Sequence, residues 1–243
     1  MNQIMQSLLE RKSVRSFTDQ EIPEEIVQEI LKASVNAPTA GNQQMYTILR
    51  ITDPEKKHML SITCDNQPFI ETAKLILVYC ADSLKWYTAF KEAGCDPREP
   101  GEGDLMLAVC DALIAAQNAV VAGQSYGIGS CYIGDIMENC EEQREILDLP
   151  PFVFPAAMVV FGYPTRQQVQ RRKPDRADMK YVVFEDSYHE LSGKELEEML
   201  SIHSGKKDYL TWIKAFCERK YNSAFSREMT RSVRKYLEDF AGR

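Results

Sequence analysis

The chain has 243 residues, 44% of them apolar and 27% charged, an ordinary composition for a globular protein. At this length roughly 70–75% of the unfolded chain's surface is buried on folding, enough core for one domain or two. A formal net charge of −7 argues against nucleic acid as a general partner, because a phosphate backbone needs a basic face.

In chain order, residues 3–11 and 23–35 are expected helices. In the second, Ile26, Val27, Ile30 and Leu31 recur at helical spacing, Pro23 suits the first turn, and Asn36-Ala37-Pro38 ends the run. Tyr46 to Ile51 alternates as a strand, and 54–62 predicts a short helix. Ala73 to Ala81 is a continuous apolar run, the pattern of a buried strand. Residues 92–103 hold three glycines and two prolines and predict a loop. Leu105 to Ala122 is apolar almost all round, broken mainly by Asp111, Gln117 and Asn118, so it predicts a helix buried on most sides, with a subunit interface as one cover. Residues 136–147 predict a charged helix, Pro155 to Tyr163 a second buried strand, and Lys180 to Phe184 a shorter strand. From 193 the pattern is helical to the end, and nothing marks a repeat or a linker. The expected fold is α+β, a single domain over 1–243 with a mixed central sheet flanked by helices and 193–243 as a helical extension.

Seven cysteines at wide spacing contain no Cys-x-x-Cys pair, which predicts reduced thiols in a cytoplasmic protein. No signal core is expected, and no stretch is expected to reach the ~18 apolar residues of a membrane span. His58, His189 and His203 are too scattered for a metal site, so none is expected.

The chemistry-bearing residues fall in a few short segments. Arg11-Lys12-Ser13-Val14-Arg15 sets two guanidiniums and a hydroxyl within five residues, a set that can hold a phosphate, although a solvated basic helix end has the same pattern. Pro38-Thr39-Ala40-Gly41-Asn42-Gln43-Gln44 is rich in small residues and amides, and its backbone can approach a planar ring. Gly127-Ile128-Gly129-Ser130-Cys131-Tyr132-Ile133-Gly134 reads as a glycine-spaced loop with backbone N–H groups free for a ligand. It is neither a Rossmann fingerprint nor a P-loop. Arg171-Arg172-Lys173-Pro174-Asp175-Arg176 is a second basic cluster, and Asn66-Gln67-Pro68 a polar segment before a strand. Gly123-Gln124-Ser125-Tyr126-Gly127 matches the nucleophile elbow of a hydrolase, with His189 or His203 as nominal base, but its serine ends an apolar helix.

Taken in order, these segments resemble the nitroreductase family of FMN enzymes. Arg11, Ser13 and Arg15 meet its Arg-x-Ser-x-Arg pattern in full. Pro38, Asn42 and Gln44 meet part of its second pattern, where Thr39-Ala40 replaces a serine pair and Met45-Tyr46 a Pro-Trp. Tyr132-Ile133-Gly134 resembles the end of its glycine loop, with Asp135 in place of a second glycine. Residues 216–221 and 228–232 are similar to the helical extension of the NADPH-preferring branch. The resemblance implies an interlocked homodimer with two FMN sites at the interface and the segment from Pro38 reaching the partner's flavin. It implies that Arg11, Lys12 and Ser13 hold phosphate and ribityl chain, and that Arg15 lies near the pyrimidine edge, where a cation favours the charge that reduction brings. Thr39, Ala40 and Asn42 would line the ring, Gln67 would hydrogen-bond it with Asn66 as the fallback, and Ile133 and Gly134 would lie over N5 and O4. Arg176, then Lys173 and Arg172, would grip the phosphate. The implied reaction is ping-pong hydride transfer through flavin N5, from NADPH or NADH to an electron-poor acceptor such as a nitroaromatic, quinone or free flavin. The flavin carries the chemistry, and no catalytic side chain is implied. The alternatives are a flavin reductase or reductive dehalogenase of this fold and a non-catalytic FMN-binding protein.

Overall fold

In the computed structural model, which describes residues 1–242, the Asn2 side chain starts helix α1 (Gln3–Glu10) by accepting the Met5 amide at 2.9 Å. Helix α2 (Glu24–Val35) follows Pro23, carries Glu24 and Glu25 where the helix dipole favours acid, and buries Val27, Ile30 and Ser34. Then come β1 (Tyr46–Arg50), α3 (Pro54–Thr63) capped by Asp53, β2 (Leu75–Asp82), α4 (Leu84–Glu92) and the long α5 (Glu102–Ser125). They are followed by β3 (Gly129–Ile133), α6 (Cys140–Leu147), β4 (Val153–Gly162) and α7 (Arg166–Gln170).

The strands form one sheet in the order β1-β2-β4-β3, each pair antiparallel. One row across it reads Leu49, Val78, Met158, Ile133. One core cluster joins the sheet to α2 and α5, and a second joins it to α3 and α6. Both faces are therefore covered, and β2 and β4 are buried along their whole length. That is why they read as continuous apolar runs instead of alternating ones. The α+β class is the one expected. The central sheet, expected to be mixed, is antiparallel throughout its named strands; the parallel pairing of Ser13 with Ser130 is an isolated bridge outside them.

Two other expectations are corrected. Helix α5 is long and apolar enough to cross a membrane by length and composition, contrary to the reading that no stretch reaches that limit. One face, from Leu105 through Ala112 and Ala119 to Gly123, is buried in this chain, while Met106, Leu107, Leu113 and Ile114 are exposed. Lys180 to Phe184 is not a strand: Met179–Tyr181 makes a 3-10 turn, and Val182 and Val183 are exposed, because β-branched residues without a neighbouring strand have no ladder to join. Helices α4 and α7 and strand β3 went unrecognised in the sequence.

The chain divides into two compact units, residues 1–171 with those from 228 onward, and residues 172–227. In the first unit the C-terminal residues pack by aromatic edges, Tyr236 against Phe154 at 5.1 Å and Phe240 against Phe152 at 5.6 Å. The second unit holds α8 (Gly193–Leu200), closed by a Ser192–Glu195 capping box, and α9 (Tyr209–Lys220), whose Trp212 stacks near Phe216 at 5.1 Å. Helix α10 (Ala224–Leu237) begins there.

Candidate functional site

Helix α1 ends at Arg11, and the chain runs on extended beside β3. The Val14 N–H donates to the Ser130 carbonyl at 2.9 Å, and Ser13 bridges Ser130. Gly129 makes this approach sterically possible: a Cβ there would stand 2.6 Å from Val14 Cγ2. Gly127, at φ +72°, makes the turn from α5. The glycine-spaced segment is therefore a turn and a strand, not a free loop, and its second glycine serves packing.

The Arg11 guanidinium lies 5.7 Å from the centre of the Tyr132 ring, and its Nε and Nη2 are buried without a hydrogen-bond partner. Unsatisfied buried donors on a cation are costly, so this group is set up for an anion. A cavity of about 250 Å3 opens beside it, lined by Arg11, Lys12, Gly127, Gly129, Ser130 and Gln168. The Lys12 ammonium donates to the carbonyls of Val169, at 2.7 Å, and Arg171. Arg171 Nη2 in turn donates to the Ser13 carbonyl at 2.7 Å. Lys12 thus laces this segment to the end of α7. Arg15 is exposed, and its backbone N–H donates to Gln168 Oε1 at 3.4 Å.

At the other end of β3, Ile133 is buried, Gly134 is exposed and Asp135 begins a 3-10 turn. Gln67 Nε2 donates to the Cys64 carbonyl at 2.8 Å and to Asp135 Oδ2 at 2.9 Å, which puts Gln67 beside Gly134. Asn66, its neighbour, holds φ +50°. Glu138 lies just beyond, 5% exposed, with Oε1 unpartnered. Burial first, and then the charges of Asp135, Asp65 and Glu228, push its carboxyl up to about 7.

The segment from Pro38 is held by α5. The buried Asp111 accepts the Ala40 N–H at 2.9 Å with Oδ1 and the Met45 N–H at 3.2 Å with Oδ2. Thr39 Oγ1 accepts the Gln44 N–H at 3.2 Å, and Gly41 and Asn42 both adopt φ +56°. Pro38 and Asn42 are exposed, Thr39 and Ala40 half-buried.

The first unit therefore sets Arg11, Lys12, Ser13 and Arg15 near the start of β3, Gln67, Ile133 and Gly134 at its end, and Pro38 to Asn42 on Asp111. Arg172, Lys173 and Arg176 belong to the second unit, where Arg172 pairs with Asp175 at 2.9 Å and Arg176 Nη1 donates to the Pro174 carbonyl at 3.2 Å. Asp111, Asp135 and Glu138 are candidate site residues that the sequence patterns do not single out. A lone aspartate on the buried face of an apolar helix was the available signal for the first. Ser125 is the last residue of α5 and donates to the Ala122 carbonyl at 2.7 Å. It has no strand before it, so the hydrolase elbow is not formed.

These residues fit an elongated anion with a phosphate at one end and a planar hydrogen-bonding ring at the other. The steps from Ser130 to Asp135 span at most roughly 17 Å at the usual strand rise. The backbone of the Arg11 segment runs beside the start of β3, its unpartnered donors lie over Tyr132, and an oriented amide stands just past the end. FMN has that shape and charge.

Comparison with known proteins agrees. The profile of the nitroreductase family matches residues 8–163, more than half of the chain. The chain is 34% identical over 191 residues to the FMN reductase (NADPH) of Bacillus subtilis, covering 78% of this chain and 76% of that protein. It is 30% identical over 238 residues to the CR(VI) reductase of a Pseudomonas strain, covering 98% of this chain and 91% of that one. The solved NADPH:FMN oxidoreductase of Vibrio harveyi, in complex with NAD+, superposes with a TM-score of 0.83 at 25% identity, over 97% of this chain and 98% of that one. The chain belongs to the nitroreductase family.

Proposed function

We propose that this chain is an FMN-dependent NAD(P)H oxidoreductase of the NADPH-preferring branch. The observation that carries the reading is Arg11, whose two buried donors lack a partner at one end of β3 while Gln67 is oriented at the other. Relatives with this sequence pattern bear the names FMN reductase (NADPH) and NADPH-flavin oxidoreductase. When bound, FMN would supply the redox chemistry of a ping-pong hydride transfer from NADPH or NADH to an electron-poor acceptor such as a nitroaromatic, quinone or free flavin.

The side chains bind and orient. Arg11 supplies charge-assisted donors to the phosphate, and the Ser13 hydroxyl, two residues on in the same segment, is the group for the ribityl chain. Lys12 fixes the segment on α7 through the carbonyls it meets. Arg15, exposed on the same segment, places a cation near the ring's pyrimidine edge. Ile133 and Gly134 cover the N5 side. Asp111 holds the backbone of Ala40 and Met45, and so the segment that carries Thr39 and Asn42, in a conformation suited to a ring carried by a second copy of the chain. In the second unit Arg176 is the first candidate for a phosphate contact, ahead of Lys173 and Arg172.

A homodimer completes the reading. Helix α1 exposes Ile4, Met5, Leu8 and Leu9, and α5 exposes Met106, Leu107, Leu113 and Ile114, two apolar rows of the kind a subunit interface covers. The seven free thiols suit a reducing compartment, here the cytoplasm. The test is NADPH oxidation with a nitroaromatic, a quinone or free FMN as acceptor. The reading predicts turnover that disappears when FMN is removed and returns when it is restored. Turnover independent of flavin, or none with any acceptor, would contradict it.

A further inference from the structure

The Gln67 amide carries more information than its position. Both of its N–H groups are engaged, one by the Cys64 carbonyl at 2.8 Å and one by Asp135 Oδ2 at 2.9 Å. Each partner is an oxygen acceptor, so the amide cannot sit the other way round. A flip would press Gln67 Oε1 against two oxygens at hydrogen-bond distance and leave both unpaired. The Gln67 N–H donates to the Ser61 carbonyl at 2.8 Å, which fixes the backbone too. Among the described residues no donor reaches Gln67 Oε1. The residue is half-buried, so this oxygen remains to meet a ligand.

We propose that Asp135 is a positioning residue for the flavin: it locks the Gln67 amide so that only the carbonyl oxygen faces the ring, where it accepts the ring N3–H. This rests on the FMN reading above. In the oxidised ring N3–H is the single hydrogen-bond donor, while N1, O2, O4 and N5 only accept. An amide offering only its oxygen can match N3–H and nothing else on that ring. An amide free to flip would offer its NH2 to O2 or O4 as readily. The carboxyl is what makes the difference, since a glycine at this place, as in the family pattern, has no side chain to hold the second N–H. Cys64 O alone would leave one N–H uncommitted. The bond joins segments 68 residues apart, tying the turn after α3 to the end of β3.

The test uses 15N-labelled FMN bound to the whole protein and reads the N3 resonance. Wild type, Asp135→Ala, Asp135→Asn and Gln67→Ala are compared. Asparagine keeps an acceptor oxygen and is the rescue variant. The expected result is an upfield shift of N3 in Asp135→Ala and Gln67→Ala, with Asp135→Asn at the wild-type position. FMN Kd should weaken about tenfold in Asp135→Ala, the worth of one ring hydrogen bond, and stay near wild type in Asp135→Asn. Thermal unfolding of the apo protein separates this from collapse. Asp135→Ala removes one acceptor of the Gln67 amide, so a cooperative unfolding transition should remain, lowered no more than the loss of one half-buried hydrogen bond allows. An unmoved N3 in Asp135→Ala would overturn the proposal. An equal shift in Asp135→Ala and Asp135→Asn would overturn it too, by making charge and not acceptor geometry responsible. If wild type takes up no labelled FMN, the flavin reading itself fails, and that is visible before any variant is made.

Discussion

The two ends of β3 are built on opposite plans. At its start stands a cation with donors to spare: Arg11 Nε and Nη2 are buried and unpartnered, with a cavity beside them. At its end the groups are acidic or amide, and the donors are committed, both N–H groups of Gln67 going to oxygens. Spare buried donors are destabilising until an anion arrives, whereas committed ones fix orientation before anything binds. The first end is suited to affinity and the second to registering a ring. The two groups meet the same strand: the Arg11 guanidinium lies over the Tyr132 ring, and the Gln67 amide bonds Asp135 just past the strand's end.

The variant that should break the first end most clearly is Arg11→Ala. Loss of two charge-assisted bonds, worth ~1.5–3 kcal/mol each, predicts FMN binding weaker by about 100-fold or more. Flavin fluorescence titration measures this, and unchanged affinity would remove Arg11 from the site. Gly129→Ala attacks the seam between segment 13–14 and β3. Its Cβ meets Val14, so equilibrium unfolding in urea should show a loss of roughly 1–3 kcal/mol. Adding Val14→Ala should recover part of it, and no recovery would mean the clash is not the cause.

The acidic end is probed by pH. The Glu138 carboxyl is raised from 4.5 to about 7 in the folded protein. The folded state therefore binds the extra proton, and the stability this group contributes below pH 4.5 is lost as pH climbs to about 7. Glu138→Gln should flatten that fall, raising Tm by roughly 7 °C at pH 8 and hardly at all at pH 4.5. A variant less stable than wild type at pH 8 would show that the ionised carboxylate has a partner. The smallest effect belongs to Ser125→Ala, where turnover should be unchanged and stability within about 0.5 kcal/mol of wild type. Loss of activity there would revive the hydrolase pattern.

Periodicity made α2 legible, and continuous apolar runs made β2, β4 and α5 legible: the two strands are buried on both faces, and α5 is buried on one and carries exposed apolar residues on the other. Strand β3 was hidden by Gly127 and Gly129, which read as loop residues although Gly129 is there for the approach of Val14. The run from Lys180 misled in the other direction: its residues favour strands, but propensity supplies no partner. Of the candidate site, Arg11 and Ser13 stand in a motif, whereas Gln67 lies in a polar segment that only the family resemblance singles out. Which way the Gln67 amide faces, and that Asp111 holds the backbone of Ala40 and Met45, were not legible. Those facts depend on contacts 66 to 71 residues apart in sequence, which no local pattern records.

The most direct measurement is the visible absorption spectrum of the protein loaded with FMN and desalted, taken before and after NADPH is added without oxygen. The account predicts a yellow protein whose flavin bands bleach on mixing. A protein that leaves the column colourless, or one that stays yellow with both NADPH and NADH, would contradict it.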